Sequence, residues 1–97
     1  MSLPIGSQKR TTDGVIGTSG KKIRLYGLIC RAGGSDAVVA LHDGTSTAGA
    51  QMDAINITAS TTNRVSYPGG LYLGSGCFID VDANTSFVVA IYEQENS

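Results

Sequence analysis

The chain contains no tryptophan and a single histidine among its 97 residues, so few side chains are available for catalysis. Only 15% of the residues are charged, well below the ~25% of average soluble proteins. Hydroxyl side chains and thirteen glycines take the place of the missing charges. A partner can cover such a surface without desolvating many charges. The composition therefore favours a module that works inside an assembly.

The sequence also lacks an apolar run of the roughly 20 residues that a membrane-spanning helix needs. The basic pair Lys9-Arg10 follows the short N-terminal apolar patch instead of preceding it, so we expect no signal peptide and synthesis in a cytoplasm. The seven basic residues are scattered along a chain of net charge −1, whereas nucleic-acid binding needs a broad basic face. We therefore expect neither a membrane nor a nucleic acid among the partners.

Two loops resemble ligand-binding motifs and fail at required positions. The pair Gly20-Lys21 lacks the upstream glycine of a phosphate-binding loop, and Lys22 stands where that loop needs Ser or Thr. Residues 80–84 read Asp-Val-Asp-Ala-Asn, like the start of a calcium loop, but Thr85 and Ile91 occupy its obligatory Gly and Glu positions. We predict no cofactor and no metal site.

The histidine and the two cysteines have structural interpretations. His42 lies beside Asp43, but no Gly-x-Ser-x-Gly nucleophile turn follows a predicted strand, so we expect a structural histidine, a pH-sensitive contact at most, and no enzyme activity. Cys30 and Cys77 fall inside apolar runs and are predicted to be reduced and buried. A disulfide between them would stabilise a domain of this size, and the sequence leaves open whether they come within reach.

Short runs rich in β-branched residues alternate with glycine-rich turns, and no window shows a helical period. The clearest strand covers residues 22–32, with Leu25 and Ile29 predicted on one face and Leu28 and Cys30 on the other. A shorter strand over 63–67 is predicted to stop at Pro68-Gly69-Gly70. Seven or eight short strands predict an all-β, single-domain antiparallel β-sandwich, jelly-roll-like, with a closed barrel as the alternative.

The domain organisation follows from the same pattern. Residues 1–14 lack a sustained period and are predicted to form an N-terminal arm, in which Leu3 and Ile5 can anchor on a neighbouring surface. Residues 15–97 form the sandwich domain. The tyrosines, among them Tyr67 and Tyr72, can contribute to a subunit contact or line a sugar-binding face, and their position around the 68–70 turn favours the contact.

Two segments resemble a group of small virion proteins of tailed bacteriophages, described as structural, head decoration or cement proteins. The first comprises GKKIRLYGLIC and DAVVALHDGTST, at residues 20–30 and 36–47. The second is GGLYLGSGCFIDVDANTSFVVAIYEQ, at residues 69–94. The shared features are the Gly-Lys opening of a strand, the Asp-Gly-Thr-Ser turn, the Gly-x-Gly-Cys-Phe-x-Asp-Val-Asp segment and the terminal Val-Val-x-x-Tyr-Glu strand.

This resemblance implies a non-enzymatic component of the virion, which binds the major capsid protein or another virion protein and stabilises the shell, often as a homotrimer. Many copies with modest interfaces would stabilise the shell collectively through avidity. The arm would then reach the shell through Leu3, Ile5, Lys9 and Arg10, and the loops at 43–50 and 59–70 would form subunit contacts with Tyr67 and Tyr72. The alternative is a carbohydrate-binding tip or fibre module for host recognition.

Overall fold

The computed structural model describes residues 5–95, which form eight β-strands and include no helix that could cross a membrane. The strands are β1 (Gly6–Arg10), β2 (Gly14–Ile16), β3 (Ile23–Ala32), β4 (Ala37–Asp43), β5 (Ala50–Ile57), β6 (Thr62–Leu73), β7 (Cys77–Val81) and β8 (Thr85–Gln94). They build two four-stranded antiparallel sheets, sheet I in the order β1-β8-β3-β6 and sheet II in the order β2-β7-β4-β5. The predicted all-β antiparallel sandwich is confirmed.

The chain pairs with itself around its middle. The first strand pairs with the eighth, the second with the seventh, the third with the sixth and the fourth with the fifth. Among the eight strands, only β4 and β5 are consecutive neighbours within one sheet. Every other connection crosses between the sheets, so neither half of the chain can complete a sheet by itself.

Inward-facing side chains of both sheets form one apolar core. Its largest fully buried members are Ile16, Ile23, Leu25, Leu28, Cys30, Val39, Leu41, Ile57, Leu73, Cys77, Ile79 and Val88. The alternation along residues 51–58 predicts Ile55 and Ile57 inward, and that along residues 77–82 predicts Cys77, Ile79 and Val81 inward. Ile55, Ile57, Cys77 and Ile79 are buried, as predicted, and Val81 is half-buried where β7 ends.

A β-bulge in β3 changes which side chains face the core. The pairing with β8 jumps from Leu25 to Gly27, so Tyr26 has no counterpart in that strand. One extra residue shifts the period-two alternation by one position. Leu28 is therefore buried and Ile29 is half-buried on the outer side. The prediction that Ile29 shares a face with Leu25 was wrong, because it assumed an uninterrupted strand.

Strand β6 does not end at Pro68-Gly69-Gly70, as the sequence predicted, but continues to Leu73. The turn residues are looped out of the ladder: β3 Leu25 pairs with Leu71 and Gly27 pairs with Ser66, which leaves residues 67–70 opposite Tyr26 alone. The two glycines adopt φ values of 78° and 88°, which a residue with a side chain rarely takes. A glycine pair thus interrupts the ladder without ending the strand.

The N-terminal region also differs from its prediction. Gly6–Arg10, expected in an arm, is strand β1 and pairs along its whole length with β8 at the edge of sheet I. Its inward-facing residues are the polar Gln8 and Arg10, so the strand carries no apolar period that would reveal it in the sequence. Residues 1–4, including Leu3, and residues 96–97 lie outside the described part of the chain.

Both cysteines are free thiols in the core, as predicted. Burial raises the pKa of Cys30 to about 11, and burial together with the charge of Asp43 raises the pKa of Cys77 to about 12. Because the thiolate is the reactive form, we expect neither thiol of the native protein to react with Ellman's reagent at pH 8 over minutes. Both should react at once in guanidinium chloride. Rapid native-state reaction of either cysteine would contradict this burial.

Candidate functional site

The outer face of sheet I carries rows of side chains that cross the strands, because residues opposite one another on neighbouring strands project on the same side. The middle row crosses all four strands and consists of Lys9, Val89, Ile29 and Arg64. We call this surface the basic face; it comprises the half-buried apolar side chains Ile29, Phe87, Val89 and Ile91 and the basic side chains Lys9, Arg24, Arg31 and Arg64. Four of the seven basic residues, which are scattered along the sequence, therefore lie together on one face of sheet I.

One carboxylate accompanies these four cations, since Glu93 is the only acidic residue in the strands of sheet I. Its Oε1 accepts a hydrogen bond from the Tyr26 hydroxyl at 3.0 Å. Desolvation, reinforced by this hydrogen bond, raises the pKa of Tyr26, so the hydroxyl keeps its proton and remains a donor. Glu93 is thus hydrogen-bonded to a neutral hydroxyl, and the four cations of the basic face outnumber this one carboxylate.

Three of the four cations contact their own sheet. The Nζ atom of Lys9 lies 5.1 Å from the centroid of the Phe87 ring, and the Cζ atom of Arg24 lies 5.8 Å from that of Tyr72. Arg31 donates from Nη1 to the Thr62 hydroxyl at 3.1 Å. The side chain of Arg64, by contrast, has no hydrogen bond, ion pair or cation–π contact within residues 5–95.

A shallow groove of about 150 Å³ lies next to Arg64, where the bulge of β3 meets the insertion in β6. Its floor and walls include Tyr26, Gly27, Ile29, Arg64, Ser66 and Ile91. A Cβ atom at Gly27 would come within 2.9 Å of the carbonyl oxygen of Val65, so β6 approaches the bulge closely. The groove thus combines apolar lining residues with Arg64, whose guanidinium has no partner within residues 5–95.

Along the lateral edge formed by β1 and β2, side chains of β1 bind backbone groups in and beside β2. Gln8 donates to the Val15 carbonyl oxygen at 3.3 Å and accepts from the Gly17 N–H at 2.8 Å. Arg10 donates to the same Val15 oxygen at 3.4 Å and to the carbonyl oxygen of Asp13 at 2.9 Å. Backbone groups at the open side of β2 are therefore occupied by the chain itself.

At the opposite lateral edge, formed by β5 and β6, side chains bind backbone groups of β5. The Tyr67 hydroxyl donates to Oδ2 of Asp53 at 2.7 Å, and Oδ1 of that carboxylate accepts from the Ala54 N–H at 2.8 Å. Asn63 donates its side-chain N–H to the carbonyl oxygen of Asn56 at 3.2 Å. An exposed edge strand is a template for pairing with another chain, and these hydrogen bonds occupy part of that template.

The aspartates lie on the other side of the molecule. All six stand in the strands of sheet II or in residues that border them: Asp13, Asp36, Asp43, Asp53, Asp80 and Asp82. The strands of sheet II contain no lysine or arginine. The sandwich is therefore electrostatically asymmetric, and an acidic partner is attracted to sheet I and repelled by sheet II.

The predicted interface residues fall in different environments. Lys9 belongs to the basic face, whereas Arg10 is turned toward the carbonyl groups of the β1–β2 edge. Tyr72 is 46% exposed beside Arg24, but Tyr67 packs against the core with its hydroxyl on Asp53. The two tyrosines therefore do not form one platform. Ile5, which directly precedes β1, is 61% exposed.

Sequence reasoning missed the three arginines of the basic face. Each lies on a predicted strand, but an uninterrupted period of two would place Arg24 and Arg31 on opposite faces of it, and only the bulge at Tyr26 brings both to the outer face. The neighbourhood of Arg64 depends on the pairing of β3 with β6, which no sequence signal predicts. The central part of the face depends in addition on the bulge at Tyr26, which turns Ile29 outward.

The remaining candidate groups do not assemble a chemical site. His42 is buried, with its Nδ1 atom 3.0 Å from the carbonyl oxygen of Gly49 and its ring edge-on to Phe78. Over residues 5–95, no three His, Cys, Asp or Glu side chains come together as metal ligands would.

No protein-family model, curated protein or solved structure matches the chain.

Proposed function

We propose that the protein is a non-enzymatic structural module that docks onto an acidic protein surface through the basic face. In its specific form the proposal is the role implied by the resemblance: a head decoration or cement protein of a virion, bound to the major capsid protein or another virion protein. The single observation that carries it is the concentration of four cations around an apolar strip on one sheet face.

The side chains that bind the backbone at the β2 and β5 edges support docking through a face. A partner that added a strand to the sandwich would have to displace the side chains that already bind the backbone of β2 and β5. The basic face needs no such rearrangement, because its half-buried apolar strip is already presented between cations. Steering of an acidic partner by the cations would speed the encounter and fix its orientation.

The strand order supports a jelly-roll winding, which we include in the proposal. Pairing of first with last, second with seventh, third with sixth and fourth with fifth is the pattern of a chain folded at its middle and rolled into two sheets. Jelly rolls of eight strands occur in viral capsid and lectin domains. A fold alone does not assign a role, so this winding is consistent with the proposal without carrying it.

The arrangement of the tyrosines favours a protein contact over the alternative of carbohydrate binding. A sugar platform needs exposed aromatic faces, whereas the ring of Tyr72 is approached by Arg24 and Tyr67 packs against the core. The predicted homotrimer is part of the proposal, and sedimentation velocity of the purified protein measures it directly.

Charge reversal on the basic face tests the proposal. We expect the double variant Arg31→Glu, Arg64→Glu to bind shells assembled from a candidate major capsid protein about a hundredfold more weakly than the wild type, because like charges would then face each other. Co-sedimentation with purified shells at several salt concentrations measures this affinity. The wild-type affinity should also fall as salt rises.

The matched control is Lys21→Glu, Lys22→Glu, which changes the net charge equally at the turn before β3, outside the basic face. This variant should bind with an affinity within about threefold of the wild type, because charges outside the contact act only through screened long-range interactions. Equal weakening by the two double variants would show that only net charge matters. Wild-type protein that fails to bind shells at any salt concentration would overturn the decoration role.

A further inference from the structure

The two irregularities in sheet I act together at one place. The bulge gives Tyr26 a position without a counterpart in β8, and from there its hydroxyl reaches Glu93 on β8. Opposite the same residue, β6 loops out residues 67–70. β-Bulges commonly re-aim a side chain next to a binding site. Here Tyr26 donates its hydroxyl hydrogen bond to Glu93, the only carboxylate in the strands of sheet I. The Arg64 guanidinium has no carboxylate partner within residues 5–95.

The groove beside Arg64 has the size of a single side chain. Its volume of about 150 Å³ is well below the ~300–1,000 Å³ of sites that bind small-molecule ligands. Its lining combines the apolar residues Ile29 and Ile91 with the polar residues Arg64 and Ser66. An occupant that matches this groove has a short aliphatic stem and an anionic tip.

We propose that this groove is the anchor site for one acidic side chain, a glutamate or an aspartate, presented by the partner protein. The methylene groups of that side chain pack on Ile29 and Ile91, and its carboxylate accepts hydrogen bonds from the Arg64 guanidinium. A guanidinium presents paired N–H donors that match the two oxygens of a carboxylate. The inference rests on the proposed function, since it names the group that the basic face recognises.

The surroundings favour a protein carboxylate over a nucleic-acid phosphate. Single-stranded nucleic acids are bound by stacking bases on exposed aromatic rings along a basic groove. On this face the rings of Phe87 and Tyr72 are already approached by Lys9 and Arg24. The lining of the groove includes Ile29 and Ile91, which suit a methylene stem, and its one aromatic residue, Tyr26, has its hydroxyl bound to Glu93.

Amide NMR of the purified protein tests the anchor without the natural partner. The probe is the peptide acetyl-Gly-Gly-Glu-Gly-Gly-amide, and its control is the same peptide with glutamine in place of glutamate. We expect the glutamate peptide to shift the amide signals of Gly27, Ile29, Ser66 and Ile91, and the glutamine peptide at the same concentration to shift them about fivefold less. In Arg64→Gln, the shifts at low saturation should shrink about fivefold, the loss expected for one well-aligned exposed ion pair.

Lys21→Gln is the matched control, and its response to the glutamate peptide should equal that of the wild type. Equal shifts with both peptides, an unchanged response of Arg64→Gln, or shifts dispersed over both sheets would overturn the anchor. Stronger binding of an oligothymidylate than of the glutamate peptide at the same signals would replace the protein carboxylate by a phosphate. If shell binding depends on the basic face but the glutamate peptide does not bind, the anchor site alone is refuted. If the peptide binds in the groove but the protein does not bind shells, the decoration role alone is refuted.

Discussion

Replacing Val39 by alanine is expected to lower the free energy of unfolding by about 2 kcal/mol, because two buried methyl groups are lost and the core closes only partly around the gap. Val39 has no exposed surface and faces Ile55 of β5 and Val81 of β7 in the ladder. For a domain of this size the change corresponds to a fall in Tm of roughly 10 °C.

The neighbouring Val38 provides a control of the same residue type on the same strand. It is 44% exposed on the outer side of sheet II, so Val38→Ala should change the stability by less than about 0.5 kcal/mol. Urea unfolding followed by circular dichroism measures both variants. If both variants lost a similar amount of stability, Val39 would not point into the core with Val38 pointing outward. Such a result would contradict the orientation of β4 and the register of sheet II.

Asp82→Ala is the second large expected effect, a loss of about 1.5 kcal/mol. The Asp82 carboxylate accepts hydrogen bonds from the N–H groups of Val38 at 2.9 Å and Asn84 at 3.0 Å, and from the Thr85 hydroxyl at 3.0 Å. It thereby fastens the β7–β8 turn to the beginning of β4. Urea unfolding at pH 7 measures the loss, and a change below about 0.3 kcal/mol would show that water replaces these hydrogen bonds without cost.

The same carboxylate predicts a pH dependence. Partial desolvation acts to raise the pKa of Asp82, but the hydrogen bonds from Val38, Thr85 and Asn84 outweigh it and hold the pKa below its ordinary value. The stabilisation is therefore complete above the pKa of the unfolded chain and is lost as pH falls through the lower folded pKa. Asp82→Asn removes this contribution, so its stability deficit relative to the wild type should narrow between about pH 5 and pH 2. A deficit that stays constant over this interval would contradict the lowered pKa.

Much of the fold is predictable from local patterns. The all-β class follows from the runs of β-branched residues and the glycine-rich turns. The buried positions in β5 and β7 follow from the alternation of inward and outward residues along those strands. Strand β1 is the strand that local patterns do not predict. Its inward side chains are Gln8 and Arg10, and their hydrogen bonds to the backbone of the β1–β2 edge take the place of apolar burial. A period of hydrophobicity cannot reveal a strand that is held by polar side chains.

The candidate site is much less predictable, because it depends on pairing between distant strands. Lys9 and Arg64 are 55 positions apart (64 − 9) and share one row only because β8 and β3 lie between their strands. The outward turn of Ile29 requires the bulge at Tyr26, and a bulge changes the facing of every residue after it. Neither the register nor the bulge leaves a mark in the sequence that periodicity could detect.

The hydrogen bonds along the two flanks have a consequence for packing at high density. Molecules arrayed side by side at millimolar local concentration would be prone to fuse into continuous β-structure if their outermost strands were bare. Gln8 and Arg10 already bind the main chain of β2, and the side chains of Asp53 and Asn63 bind that of β5, so fewer main-chain groups at the edges of sheet II are left for a neighbour to pair with. Side-by-side contact between copies is thus less prone to join them into one continuous sheet through sheet II.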